Sequence, residues 1–308
     1  MKRTLLCLAV LAAASGIAHA AQSAQKPAYR SAKEIIDAAP ASAWRSPAAE
    51  NLLYMEFGDG RRAIIELAPQ FAPKHVENIR RLAKGGFWDG TSIYRSQDNF
   101  VVQFGDADAD NAVLAVPVPA DVEKKIPAEF ERDSRGLTFT AIPDHDGWAP
   151  QAGFVDGFPA ARDPKTGKTW LAHCYATLGA GRGNEADSSI GAELYVVTGQ
   201  SPRGLDRNIT SVGRVLQGME YLSVIARGPE PMGFYTEPTL RTPIKRIRLG
   251  SDVPESERVN LEIMRTDAKQ FAEAVEARRN RRDTWYVRPA GHIDLCNIPV
   301  PVRVKAPD

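Results

Sequence analysis

The chain has 308 residues, 43% of them apolar and 25% charged, with 39 Lys and Arg against 38 Asp and Glu and three cysteines. That balance excludes a disordered chain, which is poorer in apolar residues or strongly charged, and it excludes a short cysteine-rich scaffold. A formal net charge of +1 argues against a general nucleic-acid binder, and the length suffices for one large domain or two small ones.

Lys2 and Arg3 precede an apolar run from Leu5 to Ala14, and Ala18-His19-Ala20 supplies the small-x-small pattern of a secretory cleavage site. Residues 1–20 are therefore expected to be a signal peptide cut after Ala20. Its apolar core falls short of the roughly 20 residues a spanning helix needs. The mature chain is expected to be exported, to the periplasm, with no membrane insertion after signal removal. Cys174 and Cys296 then remain in an oxidising compartment, where a disulfide persists. Two separately buried thiols fit the sequence equally well.

Residues 21–48, rich in Ala, Ser, Gln and Pro, read as an N-terminal lead-in with one short helix over Ala32–Ala39. Leu52–Phe57 and Arg62–Leu67 form a hairpin around Asp59-Gly60, with Ala63, Ile65 and Leu67 on one face. Pro73 opens a helix to Lys84 in which Val76, Ile79, Leu82 and Ala83 recur at helical spacing, and Gly85-Gly86 closes it. Strands follow over Ser92–Phe104, Leu194–Val197 and 243–249. Between them, Pro117–Lys168 is irregular, with candidate strands at Gly136–Ala141 and Trp170–Leu178. Strands joined by short turns, with isolated helices and no βα alternation, indicate a mainly antiparallel sheet or barrel. Last, Pro254–Arg282 reads as one long helix docked on the domain, because Leu261, Met264, Ala268, Phe271 and Val275 step by three and four.

Several chemical-looking fragments fail their tests. Asp106, Asp108 and Asp110 start like a calcium loop, but Asn111 and Pro117 stand where Gly and Glu are needed. Gly179, Gly181 and Gly183 lack the third glycine of a dinucleotide loop, whose place Asn184 takes. Asp144-His145-Asp146 has turn residues on both sides and no second histidine at ligand spacing. His173-Cys174 puts neighbours on opposite faces of a strand, which rules against a nucleophile pair. The run Arg278–Arg282 suits the C-terminal end of a helix.

Two separated blocks carry more. The first is Ile64-Ile65-Glu66-Leu67-Ala68-Pro69 through Val76-Glu77-Asn78, then Tyr94-Arg95 and Phe100-Val101-Val102-Gln103-Phe104-Gly105-Asp106. The second is Leu178–Arg182, Gly191-Ala192-Glu193-Leu194-Tyr195-Val196-Val197, Leu205-Asp206, Val212–Val215 and Gly218-Met219-Glu220. In order and spacing these resemble the cyclophilin family of peptidyl-prolyl isomerases. The resemblance implies a cyclophilin-like closed antiparallel β-barrel with flanking helices. It assigns 49–250 to that domain with an insert around 107–172, and leaves 251–308 as a C-terminal helical extension.

It also implies a site. Arg95, Phe100 and Gln103 match the family's catalytic arginine, pocket-floor phenylalanine and backbone-binding glutamine, and Val101, Glu193, Leu194, Tyr195 and Leu205 match its substrate cleft. The expected substrates are proline-containing polypeptides, with no cofactor and no metal. Val101, Tyr195, Gly204 and Ile209 depart from the usual residues. So does Glu193, which stands for a glutamine and is expected to face Arg95, where it could orient the guanidinium or neutralise it, and to have its pKa depressed by it. Two functions fit: an isomerase assisting the folding of exported proteins, or a catalytically weak proline-peptide-binding module. Arg95, Phe100 and Gln103 favour the first; Glu193, Gly204 and Ile209 favour the second.

Overall fold

The computed structural model describes residues 29–305, so the expected signal segment 1–20 lies outside the described residues. In chain order come α1 (Ala32–Asp37), β1 (Trp44–Arg45), β2 (Leu52–Phe57), β3 (Arg62–Leu67), α2 (Pro73–Lys84), β4 (Ser92–Ser96) and β5 (Val101–Gly105). The insert holds β6 (Arg132–Asp133), β7 (Phe139–Ala141), β8 (Gln151–Val155), β9 (Phe158–Asp163) and β10 (Lys168–Leu171). Then follow β11 (Thr177–Ala180), β12 (Leu194–Val197), β13 (Ser211–Gln217), α3 (Met219–Ser223) and β14 (Thr242–Leu249), and finally β15 (Leu261–Met264), α4 (Lys269–Arg279) and β16 (Val302–Val304).

Eight antiparallel strands close into a barrel in the order β11-β12-β5-β4-β14-β2-β3-β13. The β2–β3 hairpin turns where expected, with Gly60 at φ +87° and the Asp59 carboxylate accepting from the Arg61 N–H. Period-two alternation sends Leu53, Met55, Phe57, Ala63, Ile65 and Leu67 into the barrel core, and Val76, Ile79 and Leu82 of α2 pack into the same core. The outer faces of β2 and β3 are also buried: Leu52, Tyr54 and Ile64 meet Val253 and Leu261 from the C-terminal region.

The region 107–172 is more ordered than its Pro and Gly content suggests. Five strands form a second sheet in the order β6-β10-β9-β8-β7. Its central hairpin turns at Asp156-Gly157, both at positive φ (48° and 83°), the residue pair such a two-residue turn favours. Phe154 from this sheet, Trp44 from the lead-in, and Met264, Phe271, Val275 and Ile298 from the C-terminal region share one core.

That core explains a correction. The long helix expected over Pro254–Arg282 is absent: only Lys269–Arg279 is α-helical, with a single 3-10 turn at Glu255–Glu257. Leu261 and Met264 lie instead on β15, the central strand of a three-stranded sheet with β1 and β16, with all four of its residues buried. Pairing on both edges overrides a stripe that merely imitated helical spacing, and the turn at Arg265–Ala268 separates strand from helix. Cys174 and Cys296 are joined as a disulfide with Cα atoms 5.0 Å apart, which selects the first of the two readings and staples the C-terminal region to the segment between β10 and β11.

Candidate active site

The candidate site lies on the outer face of β4, β5 and β12. Register sets it: Arg95 of β4 stands opposite Gln103 of β5, and Gln103 opposite Tyr195 of β12, so the three form one cross-strand row. Alternation adds Val101 and Val197 beside them, while Val102, Phe104 and Val196 point into the core. Leu194 also points inward. It pairs with Phe104 and is fully buried in the barrel core, so its expected place in the substrate cleft is wrong: the residues on either side of it face the cleft.

Strict alternation would put Tyr94 and Arg95 on opposite faces. The register between β4 and β5 shifts between Ile93 and Arg95, making Tyr94 the extra residue of a β-bulge and turning both side chains to the cleft side. Tyr94 thereby takes the partner expected for Arg95. Its hydroxyl donates to Glu193 Oε2 at 2.6 Å, and Glu193 Oε1 accepts the Asp106 backbone N–H at 2.8 Å. No hydrogen bond or ion pair joins Glu193 to Arg95 among the described residues. Room for the carboxylate comes from Gly105, where a Cβ would sit 2.2 Å from Glu193 Oε2. The expected depression of its pKa is reversed as well: burial pushes Glu193 up to about 7, outweighing the hydrogen bonds from Tyr94 and Asp106.

Arg95 is half-buried and well held. Nε donates to the Met232 carbonyl at 2.7 Å, Nη1 to Gln103 Oε1 at 3.0 Å, and Nη2 to Gln97 Oε1. The guanidinium lies 5.8 Å from the Phe100 ring and 4.9 Å from that of Phe234, which in turn stacks on Tyr94. Phe100, half-buried in the β4–β5 turn, packs with Ile209 against Val101, Tyr195 and Val197, an apolar patch directly beside the guanidinium. Leu205, also half-buried, sits on the 3-10 turn Arg203–Leu205 leading to Ile209. Val101, Tyr195 and Val197 are buried, so the apolar face open beside the charged N–H donors is that of Phe100 and Ile209.

Sequence reasoning missed Tyr94, Met232, Phe234 and His173. Tyr94 adjoins Arg95 but needs the bulge to reach the cleft. Met232 and Phe234 lie in a Pro- and Gly-rich loop after α3, outside both matching blocks, and no spacing signals that it runs along β4. His173 is fully buried behind the patch, with Nε2 2.9 Å from the Tyr195 hydroxyl and Nδ1 3.0 Å from Asp206, while Cys174 next to it enters the disulfide. The Tyr195 ring fits because residue 179 is glycine, where a Cβ would lie 2.2 Å from its hydroxyl. Among the described residues no three His, Cys, Asp or Glu side chains are gathered as a metal would need.

Residues 52–249, from β2 to β14, match the family model for cyclophilin type peptidyl-prolyl cis-trans isomerases. A probable peptidyl-prolyl cis-trans isomerase of Brucella suis is 25% identical over 186 residues, covering 59% of this chain and 74% of its own, and one of Brucella abortus is 24% identical over the same span. Among solved structures, a cyclophilin of Hirschia baltica, AquaCyp293, is similar at 27% identity and a TM-score of 0.65, covering 86% of this chain and 95% of its own.

Proposed function

The chain belongs to the cyclophilin-type peptidyl-prolyl cis-trans isomerase family, and on that premise we propose that Arg95 is the group that lowers the barrier to X-Pro rotation, in an enzyme that assists the folding of exported polypeptides. Rotation costs roughly 18–20 kcal/mol because it breaks the resonance that makes the C–N bond partly double. As the bond twists, the nitrogen lone pair leaves conjugation and becomes an acceptor. A positioned N–H donor stabilises that state more than the planar one, so it accelerates rotation with no covalent intermediate.

One observation carries the reading. Arg95 spends three of its five N–H groups on Met232, Gln97 and Gln103, which fixes the fork and leaves N–H groups to donate beside the Phe100 patch. Phe100 and Leu205, both half-buried, hold the proline ring, with the buried Val101 and Tyr195 supporting Phe100 from beneath, and Gln103 orients the substrate backbone along with Arg95. Arg95→Ala should lower kcat/KM by roughly 10²–10³ with an unchanged circular dichroism spectrum. Unchanged activity would end this assignment.

Export to the periplasm rests on the Lys2-Arg3, apolar-run and Ala18-His19-Ala20 sequence. Pairing of Cys174 with Cys296 supports it, because such a bond persists in an oxidising compartment. The intact mass of periplasmic protein should correspond to a chain starting at Ala21; a mass retaining residues 1–20 would refute cleavage.

A further inference from the structure

An unbroken line of hydrogen bonds joins the carboxylate of the cleft to its guanidinium. Glu193 Oε2 accepts the Tyr94 hydroxyl at 2.6 Å, the Tyr94 oxygen accepts Gln103 Nε2 at 2.6 Å, and Gln103 Oε1 accepts Arg95 Nη1 at 3.0 Å. The far oxygen of the carboxylate is anchored by the Asp106 backbone N–H. From this line we propose that Glu193 is a positioning residue for the isomerase reaction, holding Arg95 in place through Tyr94 and Gln103. The proposal rests on the reading of Arg95 as the donor and adds a second requirement to it.

Donor and acceptor accounting gives the charge of Glu193 its role. An ionised carboxylate only accepts, so it takes the Asp106 N–H on one oxygen and the Tyr94 O–H on the other. Adding a proton, or replacing the group by an amide, introduces a donor. Facing Asp106, an amide N–H meets another N–H, and a carboxyl O–H keeps the Asp106 bond only by turning its hydrogen away, where none of the hydrogen-bond partners of Glu193 accepts it. Facing Tyr94, the added donor bonds the phenol oxygen and leaves the phenol O–H without an acceptor unless the Gln103 amide turns over. That turn would set Gln103 Nε2 against Arg95 Nη1, donor to donor. The charge at Glu193 therefore decides which end of Gln103 Arg95 meets, and the line is intact only when Glu193 is ionised.

The titratable groups facing Glu193 are Tyr94 from β4 and Asp106 just past β5; Gly105 and Gly181, close to the carboxylate side chain, bring no side chains of their own. Burial pushes Glu193 up to about 7, and the charge of Asp106 acts in the same direction. Burial and the Glu193 charge also push Tyr94 up, so the phenol keeps its proton throughout. One proton, exchanged near neutrality, makes or breaks the line.

The test is kcat/KM across about pH 5.5 to 8.5, measured by NMR exchange on an Ala-Pro-containing peptide, which needs no coupling protease. Wild type should rise about tenfold per pH unit below a midpoint near 7 and then level. Glu193→Gln should be low and flat. Tyr94→Phe keeps the carboxylate and the ring but cuts the line, so it too should be low and flat; a purely structural role for Glu193 would leave the acid limb in Tyr94→Phe. Arg95→Ala, run alongside, separates the two readings: retained activity there removes Arg95 as donor, whereas lost activity with a flat wild-type profile removes only the Glu193 line. A readout independent of turnover is the Gln103 side-chain amide and Arg95 Nε–H resonances. They should titrate with the same midpoint in wild type and stay still in Glu193→Gln. A wild-type profile without an acid limb, resonances that do not move, or an acid limb surviving in Tyr94→Phe would overturn the proposal.

Discussion

Tyr195 donates its hydroxyl to Nε2 of His173 across 2.9 Å, with the two rings 12° from parallel. The line continues inward: His173 Nδ1 donates to Asp206, Arg203 Nε donates to the other oxygen of Asp206 at 2.6 Å, and Arg203 grips Asp146 of the insert with both remaining nitrogens. Burial raises the Asp206 carboxyl, yet the His173 hydrogen bonds and the Arg203 charge outweigh it and hold the group below its ordinary value. A depressed carboxyl stabilises the fold fully above its unfolded-state pKa and loses that contribution progressively as acid carries the pH from there down through the folded-state value. Asp206→Ala leaves His173 and half of Arg203 buried without a partner, so it should cost about 3–5 kcal/mol in urea unfolding at pH 7. Tyr195→Phe leaves the buried His173 Nε2 with only Ser211 Oγ at 3.4 Å and should cost about 1–3 kcal/mol, with kcat/KM within about twofold because the buried ring still supports the patch from beneath.

The disulfide works from the other side of the same segment. Cys174 follows His173, and its bond to Cys296 closes a loop with a sequence separation of 122 residues. In the chain-entropy account such a loop contributes on the order of 4–5 kcal/mol. Reduction should therefore lower the Tm by several degrees, and thiol counting under denaturing, non-reducing conditions should find no free thiol from this pair in exported protein. Two free thiols with an unchanged Tm would show that the C-terminal core holds without the staple.

The elements that were legible in the sequence are those whose geometry is local. Asp59-Gly60 turns the hairpin, and Pro73 with the Val76, Ile79 and Leu82 stripe defines α2 to the residue. The family resemblance named Arg95, Gln103 and Tyr195, but only the strand register sets them in one row. What stayed hidden depends on partners distant in the chain. The stripe from Leu261 to Val275 fits a helix until β1 and β16 flank its first half. Asp156-Gly157 carries a local hairpin signal, masked by the surrounding prolines and glycines. The bulge at Tyr94 is a one-residue shift that no alternation pattern reveals, and it reassigns the partner of Glu193 from Arg95 to Tyr94.

Phe234 tests the loop that no motif announced. Its ring lies 4.9 Å from the Arg95 guanidinium and stacks on Tyr94, yet it remains 44% exposed, so a substrate can reach it. Losing an exposed cation–π contact costs about 0.5–1 kcal/mol, which predicts a fall of a few-fold in kcat/KM for Phe234→Ala. Phe234→Leu keeps the bulk without the π face and should show the same loss. Recovery with leucine would mean that packing, and not the ring's charge distribution, steadies Arg95.

The stability of the fold should respond to Glu193 with the opposite sign from catalysis. Its ordinary pKa is 4.5 and burial lifts it to about 7 in the folded chain, so the folded state binds this proton more tightly than the unfolded state does. A raised pKa gives stability that is complete below the unfolded value and is lost as pH rises through the folded one. Since a tenfold difference in proton affinity is worth about 1.4 kcal/mol, the change is on the order of a few kcal/mol between about pH 5 and pH 8. Other groups titrate over the same range, but they are shared with Glu193→Gln and cancel in the difference between the two proteins. The wild type should therefore lose stability relative to Glu193→Gln between those pH values in urea unfolding, while its kcat/KM rises over the same interval. A pH-independent stability difference would mean that the carboxylate is solvated in the folded chain and titrates near its ordinary value. If the two curves cross neutrality in opposite directions, the protein keeps a buried charge that costs it stability at the pH where the charge is needed for Arg95.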